Sequence, residues 1–243
     1  MSNFVVIRNL TKMHSTLKIN NRSYNFPELE QAIDSGVLFS SGAEWERDLV
    51  FFLKEWINDK EYVTGKTSGS TGTPKTIRLS KKAMIASALR TNQFFQLQKE
   101  DNVLLCLSAN YIAGKMMVVR AIVGELNLIA VSPSSAPDWD DSVAFAAMVP
   151  FQVQNLLASE EGKKRLCSID KLLIGGSPVS DSLEKELYKL PVNAYLSYGM
   201  TETVSHVALC RIEKSGAREK IYHVRKNNSR PGAVEKTSVF APG

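Results

Sequence analysis

Residues 67–75, Thr-Ser-Gly-Ser-Thr-Gly-Thr-Pro-Lys, have the composition of a loop that binds phosphate. The glycines Gly69 and Gly72 let the backbone approach an anion, and successive backbone N–H groups can form an anion-binding nest. Lys75 adds a point charge that suits phosphate. We therefore take Lys75 as a catalytic candidate, and the preceding residues as nucleotide-binding candidates: Thr67, Ser68, Gly69, Ser70, Thr71 and Gly72.

Two other interpretations of this loop fit less well. A flexible glycine- and serine-rich connector needs neither the Pro74–Lys75 pair nor a strand-like segment on each side. The phosphate loop of kinase-type NTPases reads Gly-x-x-x-x-Gly-Lys-Ser/Thr. When that pattern starts at Gly69, Pro74 occupies the place of the second glycine. The loop therefore belongs to another class of phosphate site.

A second glycine-containing loop, Gly175-Gly176-Ser177-Pro178, follows the apolar residues 172–174. Two glycines before a proline indicate a turn, and this structural interpretation is sufficient if the loop is considered alone. A functional role is the alternative interpretation, for which Gly175, Gly176 and Ser177 are the candidate residues.

A third segment, residues 197–203, reads Ser-Tyr-Gly-Met-Thr-Glu-Thr. Tyr198 beside Gly199 offers a stacking face at the end of a strand. Thr201 supplies a hydroxyl for a phosphate, and Glu202 supplies a hard oxygen ligand for Mg²⁺. The alternative is a helix N-cap at Thr201, with Glu202 interacting favourably with the helix dipole.

Residues 108–115 form another loop after a strand-like run and precede an apolar helix. Tyr111 and Gly114 are the aromatic residue and the glycine of this loop. Lys115 has two interpretations: it could face a carboxylate of the substrate, or it could be a solvated lysine at the start of a helix.

The elements around these loops alternate between strand and helix from residue 61 onward. Apolar runs of strand length at residues 103–107, 126–131 and 143–149 are separated by helical patterns, and Pro150 is suited to the first turn of a helix. This alternation predicts an α/β fold with largely parallel sheets flanked by helices. Ligands of such sheets bind at the carboxyl ends of strands, which is where the candidate loops lie.

Two of these motifs identify a resemblance to the adenylate-forming superfamily, which includes acyl- and aryl-CoA ligases, luciferases and nonribosomal adenylation domains. The superfamily loop reads [Ser/Thr]-Ser-Gly-[Ser/Thr]-Thr-Gly-x-Pro-Lys, and residues 67–75 match it throughout. Tyr-Gly-Met-Thr-Glu at 198–202 resembles its second motif, and Gly-Gly-Ser-Pro at 175–178 matches a third. The likeness covers about residues 60–210 and implies the large N-terminal domain of that fold.

The resemblance implies an ATP-dependent, AMP-forming acid–CoA ligase that uses ATP, Mg²⁺ and coenzyme A. It implies that Lys75 and its loop hold the β- and γ-phosphates, that Thr201 bonds the α-phosphate and that Glu202 holds the metal. It further implies that the adenine is bracketed by residues of two loops: Gly175, Gly176, Ser177, Tyr198 and Gly199.

Within the superfamily, the sequence is similar to the o-succinylbenzoate–CoA ligases of menaquinone biosynthesis, particularly in its short N-terminal part and in residues 112–117 and 203–206. That likeness implies an acid pocket lined by Tyr111, Gly114, Lys115, Met200 and His206. A lone histidine is otherwise more often a structural group. Another acyl- or aryl-CoA ligase remains an alternative.

The sequence also departs from the superfamily. No aspartate occurs between residues 203 and 243, so the ribose-binding aspartate that follows the second motif in the superfamily has no counterpart. The mobile C-terminal domain, with its catalytic lysine, is likewise expected to be absent. We therefore expect weak nucleotide binding and very poor adenylation, and a non-catalytic adenylate-binding module is the alternative from another functional class.

Charge and length complete the sequence-based expectations. We divide the 243 residues into an N-terminal helical subdomain (1–60), an α/β core (61–210) and a basic tail (211–243). The net charge of +5 lies in that tail, which has eight Lys/Arg and three Glu, so a solvated tail is expected rather than a nucleic-acid site.

No apolar run is long enough for a membrane span. Three widely spaced cysteines predict free buried thiols in a reducing cytoplasm, and a homodimer is open.

Overall fold

The computed structural model describes residues 16–39, 41–66, 76–213, 221–223 and 236–238. The strands are β1 (Thr16–Ile19), β2 (Arg22–Asn25), β3 (Tyr62–Lys66), β4 (Thr76–Ser80), β5 (Asn102–Leu105), β6 (Asn127–Ala130), β7 (Val143–Met148), β8 (Ile169–Ile174), β9 (Asn193–Gly199), β10 (His206–Arg211), β11 (Ile221–His223) and β12 (Lys236–Ser238). The α-helices are α1 (Phe26–Asp34), α2 (Glu44–Ile57), α3 (Lys81–Phe94), α4 (Ile112–Gly124), α5 (Pro150–Leu157), α6 (Glu160–Cys167) and α7 (Asp181–Leu187).

The central sheet has eight strands in the order β10-β9-β8-β7-β5-β6-β1-β2. The six strands from β9 to β1 pair in parallel, and an antiparallel strand closes each edge, β10 beside β9 and β2 beside β1. Parallel pairing requires crossover connections, which α4 to α7 help to supply between successive strands. The predicted fold class is confirmed.

Helices cover both faces of this sheet because its inner strands are apolar on both sides. Val103 and Leu105 of β5 pack with α1 to α4, whereas Leu104 between them packs with α5 to α7. Successive side chains of a strand point to opposite faces, so a continuous apolar run supplies two hydrophobic layers at once. The apolar strand runs and the helix beginning at Pro150 are found where the sequence predicts them.

The hairpin β1–β2 extends the sheet at its far edge, in a region that the sequence predicts to be helical. Its turn residues, Asn20 and Asn21, have φ values of 46° and 66°, which asparagine tolerates better than most residues. Their side chains bond to β6: the Asn20 side chain accepts from Ala130 N at 2.9 Å, and the Asn21 side chain accepts from Asn127 Nδ2 at 2.7 Å. The first segment therefore contributes to the sheet as well as to helices.

The Ser-x-x-Glu pattern at residues 41–44 is typical of a capping box, but α2 does not begin with one. The N-cap is Ala43, which has no side-chain cap. The Ser41 hydroxyl instead accepts from Ala43 N at 3.2 Å, since Gly42 turns the chain with a φ of 67°. A capping box does occur at α1, where Asn25 and Glu28 exchange hydrogen bonds.

Strands β3 and β4 form a separate antiparallel hairpin. This agrees with the predicted order of strand, loop and strand. The connection between them is the 67–75 loop, which lies outside the described residues. In the basic tail, β11 and β12 pair antiparallel. The domain boundaries at 60 and 210 stay predictions. Within the described part of the chain, no helix has the length and apolar character needed to cross a bilayer.

Candidate active site

The second glycine loop follows β8, and the 197–203 segment begins with the last three residues of β9, the neighbouring parallel strand. Ile174, the last residue of β8, pairs with Leu196 of β9, so Gly175 and Ser197 are the next residues on the two strands. The carboxyl ends of adjacent parallel strands lie at one edge of the sheet. Two of the sequence-predicted nucleotide elements are therefore brought together.

Ser197 joins these two segments directly. Its hydroxyl donates to Ile174 O at 3.1 Å, and a Cβ placed on Gly175 would lie 2.2 Å from the same Oγ. Gly175 N donates to Met148 O at 3.1 Å, which ties the loop to β7 as well. Gly176 has a φ of 92°, a conformation that L-residues with side chains rarely adopt. The loop thus presents backbone to solvent, with Ser177 exposed beside it.

Gly199 is required by the close approach of β10. A Cβ at this position would lie 2.6 Å from His206 Cα and 2.7 Å from Ser205 O. The pairing of β9 with β10 also shifts register between His206 and Ala208. This irregularity leaves room at the edge of the sheet for the short segment that connects the two strands.

That connecting segment, residues 200–205, is ordered by its own hydrogen bonds. Its 3₁₀ turn, Thr201–Thr203, begins after Met200. The Thr203 hydroxyl accepts from Met200 N at 3.1 Å and lies 2.9 Å from Met200 O and 2.7 Å from Ser205 O. Thr201 is buried, whereas Glu202 is exposed. The segment can therefore present a carboxylate to solvent while its threonines hold its shape.

Val204 gives the segment a strained backbone. Its φ is 70° and its ψ is −34°. A positive φ is a genuine outlier for a β-branched residue, and such conformations cost about 1–3 kcal/mol. They persist only where the surrounding structure enforces them, and they occur often at ligand-binding sites.

Two large side chains of the motif are directed to solvent. Tyr198 is 60% exposed and Met200 is 48% exposed. Exposed apolar groups near the two glycines of a loop provide surface for a flat heterocycle or an apolar acid. This exposure agrees with the predicted binding roles, which nevertheless stay predictions.

The loop at residues 108–115, which follows β5, lies at the same edge of the sheet. Tyr111 is 57% exposed just before α4. A Cβ on Gly114 would lie 2.2 Å from Ser108 O, so the first turn of α4 packs tightly against the loop. The Ser108 hydroxyl donates to Asp48 on α2 at 2.7 Å. These contacts fix the start of α4 relative to the sheet.

The burial of Lys115 contradicts the interpretation of this residue as a solvated lysine at the start of a helix. Its side chain is not solvated: the residue is 3% exposed, and its Nζ lies 4.7 Å from the ring centroid of Phe52. A cation over an aromatic face is stabilised by the ring quadrupole, and the packing of the first turn of α4 near α2 excludes water from it. The other interpretation, contact with a substrate carboxylate, stays a prediction.

Arg120 is a site residue that the sequence analysis passed over. It is 2% exposed on α4, and its Nη2 donates to Ser205 Oγ at 3.1 Å. Ser205 Oγ also lies 3.2 Å from His206 Nδ1. The signal was present, because Arg120 is one of two charged residues in an otherwise apolar helix, and charged residues are rarely buried without a partner.

The phosphate loop and its candidates lie outside the described residues, so the structure adds nothing to their predicted roles: Thr67, Ser68, Gly69, Ser70, Thr71, Gly72 and Lys75. A groove of about 580 Å³ is found at the opposite end of the sheet, lined by the first residues of β5, β7 and β8. Ligands of parallel sheets bind at the carboxyl ends of strands. We therefore assign no role in the site to this groove.

The cysteines differ in exposure. Cys106 and Cys210 are buried, but Cys167 is exposed at the end of α6, so the expectation of buried thiols is wrong for this residue. All three are free thiols, as predicted. Cys167 lies on the last turn of an amphipathic surface helix, where its side chain falls on the outer face.

Comparison with known proteins agrees with this arrangement. The model of the AMP-binding enzyme family matches residues 63–231, a range that contains the 67–75 loop and the motifs at 175–178 and 198–202. A probable 2-succinylbenzoate–CoA ligase of Mycobacterium tuberculosis is 25% identical over 69% of this chain and 46% of its own length. The 2-succinylbenzoate–CoA ligase of Bacillus licheniformis is 29% identical over 63% of this chain and 34% of its own length.

Among solved structures, an acyl-CoA synthetase (AMP-forming)/AMP-acid ligase II-like protein from Dyadobacter fermentans has a TM-score of 0.70 and 33% identity. The similarity covers 78% of this chain and 55% of that protein. This chain spans less than half the length of the two curated relatives. The family match extends over well more than half of the residues, and the chain belongs to the AMP-binding enzyme family.

Proposed function

We propose that this chain carries the nucleotide- and acid-binding core of an ATP-dependent acid–CoA ligase that works through an acyl-adenylate. The observation that carries the proposal is the close approach of Gly175, the first residue of the glycine loop after β8, to Ser197 near the end of β9, where the Ser197 hydroxyl also donates to Ile174 O. It places backbone free of side chains, an exposed aromatic ring and an exposed carboxylate at one edge of a parallel sheet. The core would comprise residues 61–210, with 1–60 as an N-terminal subdomain and 211–243 as a tail.

The proposed reaction has two displacements. An oxygen of the acid's carboxylate attacks the α-phosphorus of ATP and pyrophosphate leaves, which gives an acyl-adenylate. The sulfur of coenzyme A then attacks the acyl carbon, losing its proton, and AMP leaves. Both steps depend on positioning and charge neutralisation more than on a protein nucleophile.

Each candidate residue has a role in this scheme. Lys75 and the 67–75 loop would hold the β- and γ-phosphates, and the Thr201 hydroxyl would bond the α-phosphate. The adenine would lie between the backbone at Gly175 and Gly176 and the ring of Tyr198. Glu202 would hold Mg²⁺, which would neutralise phosphate charge; its exposed carboxylate is a hard oxygen ligand that suits this ion.

We propose 2-succinylbenzoate as the acid. The Mycobacterium and Bacillus relatives bear that ligase name, and the implied pocket combines exposed apolar surface at Tyr111 and Met200 with polar groups at Lys115 and His206. Such a pocket suits an aromatic ring with more than one polar substituent. Another acyl or aryl acid is the alternative.

A second candidate is a nucleotide-binding module without turnover. One observation favours it: the sequence has no aspartate from residue 203 to 243. Under either candidate we place the protein in the cytoplasm, where its three free thiols would stay reduced. A homodimer is also a proposal, which sedimentation would test.

The decisive experiment combines calorimetric titration with a pyrophosphate-release assay. ATP with Mg²⁺ and a non-hydrolysable acyl-adenylate mimic are titrated first, and a panel of aliphatic and aromatic acids with coenzyme A is assayed next. Release that is largest with 2-succinylbenzoate supports the ligase and its substrate. Release with another acid overturns the substrate alone, binding without release supports the module, and no binding of either compound overturns both candidates.

A matched pair of variants makes the titration specific. Glu202→Gln is expected to weaken Mg²⁺-dependent nucleotide binding about tenfold or more, since a charged ligand becomes neutral. Glu30→Gln removes the same charge from an exposed position on α1 and is expected to change nothing. Equal effects of the two substitutions would contradict a metal-binding role for Glu202.

A further inference from the structure

Arg120 is a charged residue in a helix whose neighbours are apolar. On α4 the residues 116–119 and 121–123 are buried hydrophobic side chains, and Arg120 itself is 2% exposed. Its guanidinium carbon lies 5.6 Å from the centroid of the Phe145 ring, and Nη1 lies 3.4 Å from Met117 Sδ. Burial of a guanidinium is costly unless it makes specific hydrogen bonds. Its place in the core therefore needs a reason beyond packing.

One hydrogen bond of Arg120 connects α4 to the segment that precedes β10. Nη2 donates to the Ser205 hydroxyl at 3.1 Å, across 85 positions of the sequence. Ser205 ends the segment that begins at Met200, and its carbonyl is within hydrogen-bond distance of the Thr203 hydroxyl at 2.7 Å. The guanidinium thus holds the residue at which this segment returns to β10.

The segment has a physical need for such an anchor. Val204, next to Ser205, has a φ of 70°, and a strained residue keeps its conformation only where its neighbours are fixed. A charge-assisted hydrogen bond is stronger than a neutral one and gains further from burial. The bond from Arg120 is therefore suited to stabilise this conformation.

We propose that Arg120 is a positioning residue that acts through Ser205 to hold the segment carrying Thr201 and Glu202 in its binding geometry. The proposal rests on the proposed function for the ligand of that segment, but the restraint itself is a property of the protein. Arg120 lies on the same helix as Gly114 and Lys115, so one rigid element connects the implied acid pocket to the adenylate segment.

Ser205 connects this restraint to His206. Its Oγ, which accepts from Arg120, also lies 3.2 Å from Nδ1 of His206. The same hydroxyl therefore contacts both the buried guanidinium and a residue of the implied acid pocket.

The first experiment measures amide hydrogen exchange of the intact chain by mass spectrometry, without ligand. In Ser205→Ala the peptides that cover residues 199–206 are expected to exchange about tenfold faster, because a hydrogen bond to a charged group is lost. Peptides elsewhere should be unchanged. Ser168→Ala is the matched control, since Ser168 accepts a 3.2 Å bond from Trp139 Nε1 away from the site and should leave residues 199–206 unaffected.

The second experiment titrates ATP with Mg²⁺ into the same proteins and into Arg120→Met and Arg120→Lys. Ser205→Ala and Arg120→Met should each raise the Kd about tenfold, and their combination should raise it no further than Arg120→Met alone. Arg120→Lys should recover part of the affinity because it keeps a donor and the charge. Additive effects in the double variant would contradict action through Ser205.

The two experiments separate the possible failures. Unchanged exchange of residues 199–206 in Ser205→Ala overturns the positioning role, even if Arg120→Met unfolds the protein. Faster exchange with a wild-type chain that binds no nucleotide supports the restraint and overturns the proposed function instead.

Discussion

Gly175 and Ser197 occupy neighbouring strand ends in such close contact that a Cβ on Gly175 would lie 2.2 Å from Ser197 Oγ. The next atom that such a Cβ would meet is Ser197 Cβ at 3.6 Å, an ordinary contact distance. The obstacle is therefore one hydroxyl oxygen, which is held in place by its bond to Ile174 O. The Ser197 hydroxyl thus occupies the space that a side chain at residue 175 would need.

Gly175→Ala should destabilise the protein by about 1–3 kcal/mol, a usual cost of overpacking. Removing the opposing oxygen should relieve it, so Gly175→Ala with Ser197→Ala should be more stable than the sum of the single effects predicts. Urea denaturation of the four proteins gives the coupling energy. Strictly additive effects would show that the hydroxyl is not what restricts residue 175.

Gly199→Ala should cost more than Gly175→Ala and should not be rescued by Ser197→Ala. The atoms that a Cβ would meet here, His206 Cα and Ser205 O, belong to the backbone of β10 and its preceding segment. They can move only if the pairing of β9 with β10 changes. We expect a loss of at least about 3 kcal/mol, measured by the same denaturation. A smaller loss than for Gly175→Ala would contradict this ordering.

The stability of the protein should rise with pH between about pH 8 and 10.5 because of Lys81. Burial lowers the pKa of this amine from 10.5 to about 8, although Asp59 and Glu55 favour its charge. In that interval the unfolded chain binds more protons at this residue than the folded protein does, so raising the pH stabilises the folded state. Its Nζ donates to Asn58 O at 2.6 Å, which a neutral amine can still do.

The measurement compares wild-type protein with Lys81→Met in urea at several pH values from 8 to 10.5. The free energy of unfolding of the wild type, relative to that of the variant, should increase over this range. Groups common to both proteins cancel in this difference. A difference that is independent of pH would show that the pKa of Lys81 is not lowered by folding.

Cys167 should react with thiol reagents faster than the buried Cys106 does. This residue is exposed, whereas Cys106 is buried and its burial raises the pKa of the thiol to about 12. At pH 8 the folded protein should react with an aromatic disulfide reagent rapidly at one site and at least about 100-fold more slowly at Cys106, since the thiolate is the nucleophile. Cys167→Ser should abolish the rapid phase, and its persistence would contradict the assignment.

The sequence predicted the parts of the fold that depend on local pattern. Strands β5 and β7 are continuous apolar runs, and α5 begins at Pro150, so their residue types determine the element directly. Tyr198 was predicted to lie at the end of a strand, and β9 ends one residue later at Gly199. The family was also identified from these motifs.

Other features depend on contacts between distant residues and could not be predicted in this way. The hairpin strands have the short sequences Thr-Leu-Lys-Ile and Arg-Ser-Tyr-Asn, which are strands because they pair with each other and because β1 also pairs with β6. A solvated Lys115 stayed open as one of two interpretations because the proximity of Phe52 is a tertiary feature. The contact between Arg120 and Ser205 spans 85 positions and has no local signature.

The pairing of β1 with β6 determines when the first hairpin can be completed. Lys18 and Ile19 pair with Asn127 and Leu128, which a ribosome adds only after roughly five to twenty further seconds at usual rates of synthesis. During that interval Leu17 and Ile19, which are buried in the finished protein, have no sheet to join. A hairpin with an open edge can associate with other chains. Substitutions in β6 should therefore reduce the yield of folded protein during synthesis more than they reduce the stability of molecules that have already folded.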